Sequence, residues 1–509
     1  MLRPGHGSVL LLDDLWVAEV HGLRQQFYPP TKYPHNPIIT KTEAWEGEGP
    51  YLWGNRLLVD PDTGEYRLWY AAFRHADNHY RWGYAVSRDG LHWEKPDLGL
   101  ETFEGQPARN MLPGGPHPHK ALRCLERDPR PDCPPDQRYR AIRFTYDGEF
   151  ASFSPDGLHW TEYPGNPVWR VPSDIIHTMW DPSRMTFVAY FKLWEVVGHR
   201  VDGPGGPEPF RAYLPFYHTD TRDGVTHFRG PRVTFQPGGG ATVEEDAEFT
   251  LLAERLSFDD GGGGMLSGAW TSKRVICWAS SDDFIHWSGE RVVIQADAQD
   301  DPTANIQYMF VFLYGGYYLG VLTMHDETGQ FNQQLAFSRD GLTWQRPWRE
   351  PFIAVGPPGA WDSGMVLGPV DPIVLDDELR FLYGGFPIIH HDHAQTWDSA
   401  IGFASLRRDG FAAWEADAEG TLTTQPFVCP GGRLLVNADA RGGAVTVEVL
   451  DESGEPIPGF EAARCAPLTA DAVAAPVHWA DADLDALTGR PLRLRFAVQA
   501  ARLFAFRFE

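Results

Sequence analysis

One heptad constrains this chain more than any other feature, because it recurs. Ser87-Arg-Asp89-Gly90-Leu-His-Trp93 returns as Ser154-Pro-Asp156-Gly157-Leu-His-Trp160 and as Ser338-Arg-Asp340-Gly341-Leu-Thr-Trp344. A looser copy, Ser281-Asp-Asp283-Phe-Ile-His-Trp287, keeps the Ser, Asp and Trp positions. A decayed copy, Arg407-Arg-Asp409-Gly410-Phe-Ala-Ala-Trp414, keeps Asp-Gly and a Trp one place late. Each copy reads as a turn. Ser and Asp side chains take nearby backbone N–H groups, and Gly supplies a positive φ. The Trp then opens the next strand and packs over the turn.

A second repeat runs in step with the first. Leu57-Leu-Val-Asp60-Pro61-Asp-Thr-Gly-Glu-Tyr-Arg-Leu-Trp-Tyr70 is a hairpin of two apolar runs joined by a Pro/Gly turn. Its echoes begin at Arg127-Asp128-Pro129, Trp180-Asp181-Pro182, Phe310 and Ile373. Each unit thus reads as strand, turn, strand, loop, strand, Ser-x-Asp-Gly turn, strand. Four antiparallel strands at this spacing describe a propeller blade. Five units predict an all-β chain with a five-bladed β-propeller over residues 1–414. The closed ring itself is expected from about 41 to 414, with the stretch Ser8 to Val20 closing the ring or packing on the domain that follows.

Past Trp414 the repeats stop. Gly432–Asn437, Gly443–Leu450, Leu492–Val498 and Ala501–Phe508 alternate apolar and polar residues, which predicts a C-terminal β-sandwich over 415–509. The third blade is anomalous. From Asp181 to Ser281 is 100 residues, against 27 from Asp60 to Ser87, and the excess is an insertion of about 195–268. Loops of that length are lids, arms or disordered, and the reading taken is a lid or an interface arm.

Composition narrows the partners. A net charge of −25 argues against nucleic acid and anionic membranes, which need a basic face. No run is long enough to span a membrane, and Val9-Leu-Leu-Leu12, stopped by Asp13-Asp14, lacks the pattern of a signal peptide. The five cysteines are odd in number and scattered, which suits a cytoplasmic protein with free thiols. Nineteen Trp suit blade packing, with some left over as stacking platforms.

The two repeats and the tail resemble the five-bladed β-propeller glycoside hydrolases, most of all family 32 and its uncharacterised bacterial relatives. The tail segments carrying the resemblance are Thr421-Leu-Thr-Thr-Gln-Pro-Phe, Val436-Asn-Ala-Asp-Ala-Arg-Gly-Gly and Val449-Leu-Asp-Glu-Ser-Gly-Glu-Pro-Ile-Pro-Gly-Phe, and the pairing of Trp361-Asp-Ser-Gly-Met365 with Leu406-Arg-Arg-Asp-Gly-Phe411 adds to it. The resemblance covers nearly the whole chain in fold. The family's motifs Trp-x-Asn-Asp-Pro-Asn-Gly, Arg-Asp-Pro and Glu-Cys are not all present. Arg127-Asp128-Pro129 matches one in letters but sits in the repeated hairpin, so it is read as a turn. The resemblance implies a carbohydrate substrate, no cofactor, and a glycosidic bond cleaved by opposed carboxylates, with a fructoside or arabinoside as first choices. Transfer, phosphorolysis and a non-catalytic glycan-binding propeller are the alternatives. A homo-oligomer stays open.

The site is expected where innermost strands begin, at one end of a central funnel. Carboxylate candidates there are Glu46, Glu48, Asp174 and Asp362, because a glycosidase sets one carboxyl to protonate the leaving oxygen and another to attack or activate water. Asp174 is the choice for nucleophile or base, facing one of the other three. The alternative for Asp174 is a turn residue, for Asp362 a loop cap, and for one of the two Glu plain surface. Trp45, Trp361, His119, His177, Gln307 and His391 are the expected substrate contacts. His117, His119, Lys120 and Arg123 keep phosphorolysis in view. The cluster His390-His391-Asp392-His393 is assigned to surface or substrate in preference to metal, and neither metal nor cofactor is expected. Asp89, Asp156, Asp283, Asp340 and Asp409 are assigned to turns.

Overall fold

The computed structural model describes residues 2–5, 7–53, 56–114, 122–145, 147–171, 173–215, 217–252, 270–390 and 397–509. Among them the chain is all-β, and helix is confined to four short 3-10 turns. Five antiparallel meanders follow one another. The first joins Pro50–Tyr51 and Leu57–Val59 to Tyr66–Arg74, His79–Ser87 and Met111–Leu112. The second runs Leu122–Arg127, Tyr139–Thr145, Gly148–Ser154 and Thr161–Glu162. The third begins with Ile176–Asp181, Thr186–Arg200, Trp270–Ser281 and Ser288–Gln295. Asn305–Tyr314, Tyr317–His325, Phe331–Ser338 and Trp344–Gln345 form the fourth. The fifth has Met365–Leu367, Ile373–Val374, Glu378–Phe386 and Ala400–Arg407.

Apolar clusters stitch each meander to the next. Trp69 and Tyr84 meet Leu125 and Tyr139 between the first and second. Ile142 meets Ile176 and Phe187 between the second and third, and Tyr190 meets Ile306 and Met309 between the third and fourth. Phe310 and Phe312 meet Val366 and Phe381, and Leu382 and Phe403 return to Leu52 and Leu68 of the first meander. The succession therefore closes on itself. Each fully buried large side chain here is worth about 1.5–3 kcal/mol of transfer free energy.

The repeated turns are built as their residues dictate. Ser87 Oγ accepts from Gly90 N at 2.9 Å, and Asp89 Oδ1 accepts from Leu91 N and His92 N, both at 2.8 Å. The same bonds recur around Ser154/Asp156 and Ser338/Asp340. Gly90, Gly157 and Gly341 sit at φ 69°, 81° and 68°. In the looser copy Phe284 takes this conformation, at φ 72°, because its ring is buried against Phe187 and Trp287. Burial works to raise the Asp283 pKa, yet bonds from His286, Ile285 N–H and Ser281 bring it down to about 2. These aspartates are turn residues. Asp128 likewise accepts from Arg130 N at 3.0 Å and pairs with Arg140 at 2.7 Å, so Arg127-Asp128-Pro129 is a turn here.

The described part of the insertion, up to residue 252, is sheet. Thr186–Arg200 and Trp270–Ser281 stay paired from Phe187↔Ser281 to Gly198↔Trp270, and Glu208–Leu214, His218–Arg222, Val225–Phe235 and Ala241–Leu252 extend the same sheet. Trp194, Val196, Leu214, Phe228 and Phe249 give it a core of its own. A loop was expected because Gly/Pro clusters stand out in sequence, whereas those at 203–207 and 238–240 mark hairpin turns, and the one at 261–264 lies outside the described residues.

The start of the chain divides among three sheets. Thr31–Lys32 pairs with Ser405 and Ala404 as the outer strand of the fifth meander. Val9–Leu10 and Arg24–Phe27 join Ala412–Glu415, Leu434–Asp439, Asp471–Pro476 and Arg502–Phe508 in one sheet. Val17–His21 joins Glu419–Thr424, Phe427–Val428, Ala444–Leu450 and Pro491–Gln499 in a second. The two sheets share a core that includes Leu422, Val436, Val447, Phe496, Leu503 and Phe506. The boundary expected at 414 thus leaves out the first 27 residues, whose partners lie some 400 positions away. All five cysteines are buried and unbridged.

Candidate active site

Two expected carboxylates stand where the first strands of their meanders begin. Asp174 lies two residues before Ile176–Asp181, with 39% of its side chain exposed. Lys192, almost wholly buried on the neighbouring strand, reaches its Oδ1 at 2.8 Å. The segment is pinned behind it: Ser173 N donates to Glu149 Oε1 at 2.7 Å, and Ser173 Oγ donates to Lys192 O at 2.8 Å. Glu48 precedes Pro50–Tyr51, with 15% of its side chain exposed. Its Oε2 accepts from His75 N at 3.0 Å, and its Oε1 lies 3.5 Å from His75 Nδ1. His75 leans edge-on against Trp397 at 5.4 Å, and Trp397 also packs on Phe73 at 4.9 Å. Glu48 therefore stands beside an aromatic wall that the sequence reading missed. Trp397 was hidden by its loop, since nothing in its neighbours' spacing marks it.

The other carboxylates have structural work. Glu46 is fully buried in the turn Ala44–Glu46, where its Oε2 accepts from Thr42 N and Glu43 N at 2.7 and 2.9 Å. Its Oε1 accepts from Tyr70 Oη at 2.7 Å and Lys95 Nζ at 2.6 Å. Four donors leave it no part in catalysis; it caps the turn. Trp45 beside it is buried, stacked near Tyr70 at 6.1 Å, and cannot touch substrate. Asp362 is buried, paired with Lys32 at 2.5 Å and accepting from Tyr383 Oη at 3.0 Å. It anchors the strand that closes the fifth meander. Trp361 stacks on Tyr383 at 5.6 Å as part of that anchor.

His177 and Gln307 are buried too. His177 Nε2 donates to Val311 O at 2.8 Å, and burial, with Arg56 nearby, pushes its pKa well below 6.5. It is a neutral bridge between the third and fourth meanders. Gln307 sits at the bulge between the Ile306 and Tyr308 pairings. His119 and His391 lie outside the described residues, as do His117, Lys120, Asp392 and His393. Among the described residues no group of three or more His, Cys, Asp or Glu is placed to hold a metal ion.

Deeper along the first strands lies a polar cluster with no sequence signal, since its members come from single positions in separate repeats. Arg56 Nε lies 2.9 Å from Asp371 Oδ2, and its Nη1 lies 3.1 Å from Glu126 Oε1. Arg56 Nη1 also reaches Thr178 O at 3.4 Å, while its guanidinium is 5.9 Å from the Phe310 ring. The first, second, third, fourth and fifth meanders all contribute. Burial outweighs Arg56 and pushes the Glu126 pKa up to about 8, with Asp371 adding to the rise. Burial raises Asp371 as well, against Arg56.

Cations gather beside Asp174. Lys192 Nζ is 5.3 Å from the Trp194 ring centroid, and the buried Arg274 guanidinium is 4.1 Å from the same ring. Arg274 Nη1 meets His325 Nε2 across to the fourth meander.

No protein-family model matches the sequence, and no curated protein matches it. Similar solved structures include an N-acetylgalactosamine deacetylase from F. plautii in complex with blood group B trisaccharide: 12% identity, TM-score 0.40, 75% of this chain and 95% of that one covered. A structure of the GH130 family, described as mannoside phosphorylases containing hydrolases of β-1,2 mannosidic linkages, is 12% identical at TM-score 0.37, covering 75% and 94%. The α-L-arabinofuranosidase PaAbf62A of Podospora anserina is 11% identical at TM-score 0.37, covering 74% and 96%. Likeness this distant carries no assignment, so the site is read from this chain's own residues.

Proposed function

We propose that the five meanders are the blades of a β-propeller, that residues 415–509 with the first 27 residues form a β-sandwich, and that the protein is a glycoside hydrolase. The observation that supports this is the like placement of Asp174 and Glu48, each ahead of the first strand of its meander. They lie two residues before the first strands of the third and first meanders, keep 39% and 15% of their side chains exposed, and are each braced, by Lys192 at 2.8 Å and by His75. Asp174, with Lys192 balancing its charge, acts as nucleophile or base. Glu48, the more enclosed, protonates the leaving oxygen beside Trp397. Asp174→Asn and Glu48→Gln, assayed on fructosides, arabinosides and galactosides, should each lower turnover by at least about 10²-fold with folding intact. Full activity in both variants would overturn the assignment. Phosphorolysis is the second reading, supported by Lys192 and Arg274 flanking Trp194 next to Asp174. A sugar phosphate formed only when inorganic phosphate is present would select it.

A further inference from the structure

The fourth meander carries a cavity of about 230 Å³ that none of these roles uses, lined among others by Met324, His325, Asp326, Gln330 and Asn332. It is smaller than the roughly 300–1,000 Å³ of sites for drug-sized ligands. Its polar atoms are half spoken for. Asn332 Oδ1 accepts from Val355 N at 3.0 Å, which leaves the amide NH₂ without a protein partner. Asp326 Oδ1 takes Thr328 N at 2.9 Å and Thr328 Oγ1 at 2.6 Å, which leaves Oδ2. Gln330 Nε2 donates to Ser363 O at 3.4 Å, which leaves Oε1. Met324 supplies an apolar patch on the same wall.

The free groups select a ligand class. The wall carries acceptors in Asp326 Oδ2 and Gln330 Oε1 and donors in the Asn332 and Gln299 amides, a mixture that suits a compact neutral molecule carrying hydroxyl groups, since a hydroxyl both donates and accepts. Arg349 on the wall is held by Asp297 and Asp300, so Asp301 and Asp326 beside it oppose an anion. A metal ion fits poorly, because no three-ligand group is present among the described residues. The cavity is also tied to the mouth. His325 on its wall meets Arg274, Arg274 covers Trp194, and Lys192 at the same ring holds Asp174.

We infer that this cavity is a distal sugar subsite, so that the substrate is an oligosaccharide lying from Asp174 across His325 onto the fourth meander. The inference rests on the glycosidase reading. Asn332→Asp is the sharpest probe: it keeps the oxygen that holds Val355 and replaces an amide donor by an acceptor. Gln330→Ala removes an acceptor without touching that bond. Both are tested with fructo-, arabino- and galacto-oligosaccharides of increasing length, for cleavage by the active enzyme and for calorimetric binding to Asp174→Asn. Wild-type kcat/KM should rise with length, and each variant should lower it about 3–10-fold for long chains, as loss of one hydrogen bond does, while sparing the shortest. A uniform change at all lengths, or none, in folded variants overturns the subsite. Binding to Asp174→Asn that Asn332→Asp weakens, with no cleavage by wild type, sinks the catalytic reading and upholds the subsite. Absence of any oligosaccharide binding sinks the subsite.

Discussion

Replacing Glu126 by Gln tests the buried cluster to which all five meanders contribute. In the folded protein burial lifts the Glu126 pKa from 4.5 to about 8, so the native state holds its proton more tightly than the unfolded chain does. The sign follows from that. The linked stability is fully present below about pH 4.5 and is lost as pH rises through about 8. Fully expressed, the difference is on the order of 4–5 kcal/mol. At about 2 °C per kcal/mol, the low end for large domains, it amounts to a fall in Tm on the order of 8–10 °C between mildly acidic and alkaline buffer. Asp371, raised in the same direction, adds to the slope. Gln keeps the shape beside Arg56 and removes the titration. Thermal unfolding followed by near-UV circular dichroism across this pH range should show a flatter profile for Glu126→Gln than for wild type. The variant's absolute Tm is not the readout; the slope is. Parallel profiles would mean that Glu126 stays ionised in the fold and that the reasoning from burial fails.

Lys32→Met should cost about 3 kcal/mol by leaving Asp362 buried without its cation; an unchanged urea midpoint would show that the Lys32–Asp362 pair does not fasten the fifth meander. Phe284→Gly relieves a left-handed conformation worth about 1–2 kcal/mol but forfeits a buried ring worth about 3–5. The variant should therefore be less stable by roughly 2–3 kcal/mol, and a neutral or stabilised protein in denaturant titration would reverse that ranking. Excising the sheet extension beyond Arg200 should alter activity or assembly while the ring stays folded, because Trp194, Phe228 and Phe249 form a separate core; light scattering and circular dichroism together decide it, and no change in either activity or assembly would make the extension ornamental.

What the sequence shows is what short-range bonding decides. Ser87, Asp89 and Gly90 build their turn within six residues, so the turn repeats in sequence as it does in space. The strand pairs on either side of each turn are legible for the same reason. Glu46 was misread because the letters of a turn cap and of a catalytic acid are the same; only its four donors tell them apart. Asp362 belongs with it, since Lys32 is 330 positions away. Arg56, Glu126 and Asp371 carry no motif because they meet only when their separate meanders pack together. Asp174 and Glu48 differ from Glu46 and Asp362 in keeping 39% and 15% of their side chains exposed, which no letter of the sequence reveals.

The pairing of the chain's early strands sets a schedule for its synthesis. Ser8 Oγ donates to Asp409, 401 positions on, and Val17–His21 has its partner at Glu419–Thr424. At about 5–20 residues per second of translation, those early strands wait roughly 20–80 s before their partners exist. Until then they are unpaired strand edges beside a ring whose last meander still lacks its neighbour. A ribosome stalled near residue 400 would hold four complete meanders and every early strand exposed, which makes the nascent chain a natural client for a chaperone that shields edges. Proteolysis at a linker such as Tyr28–Pro30 would then be tolerated after release, when both cut ends are held by sheet, but not before it.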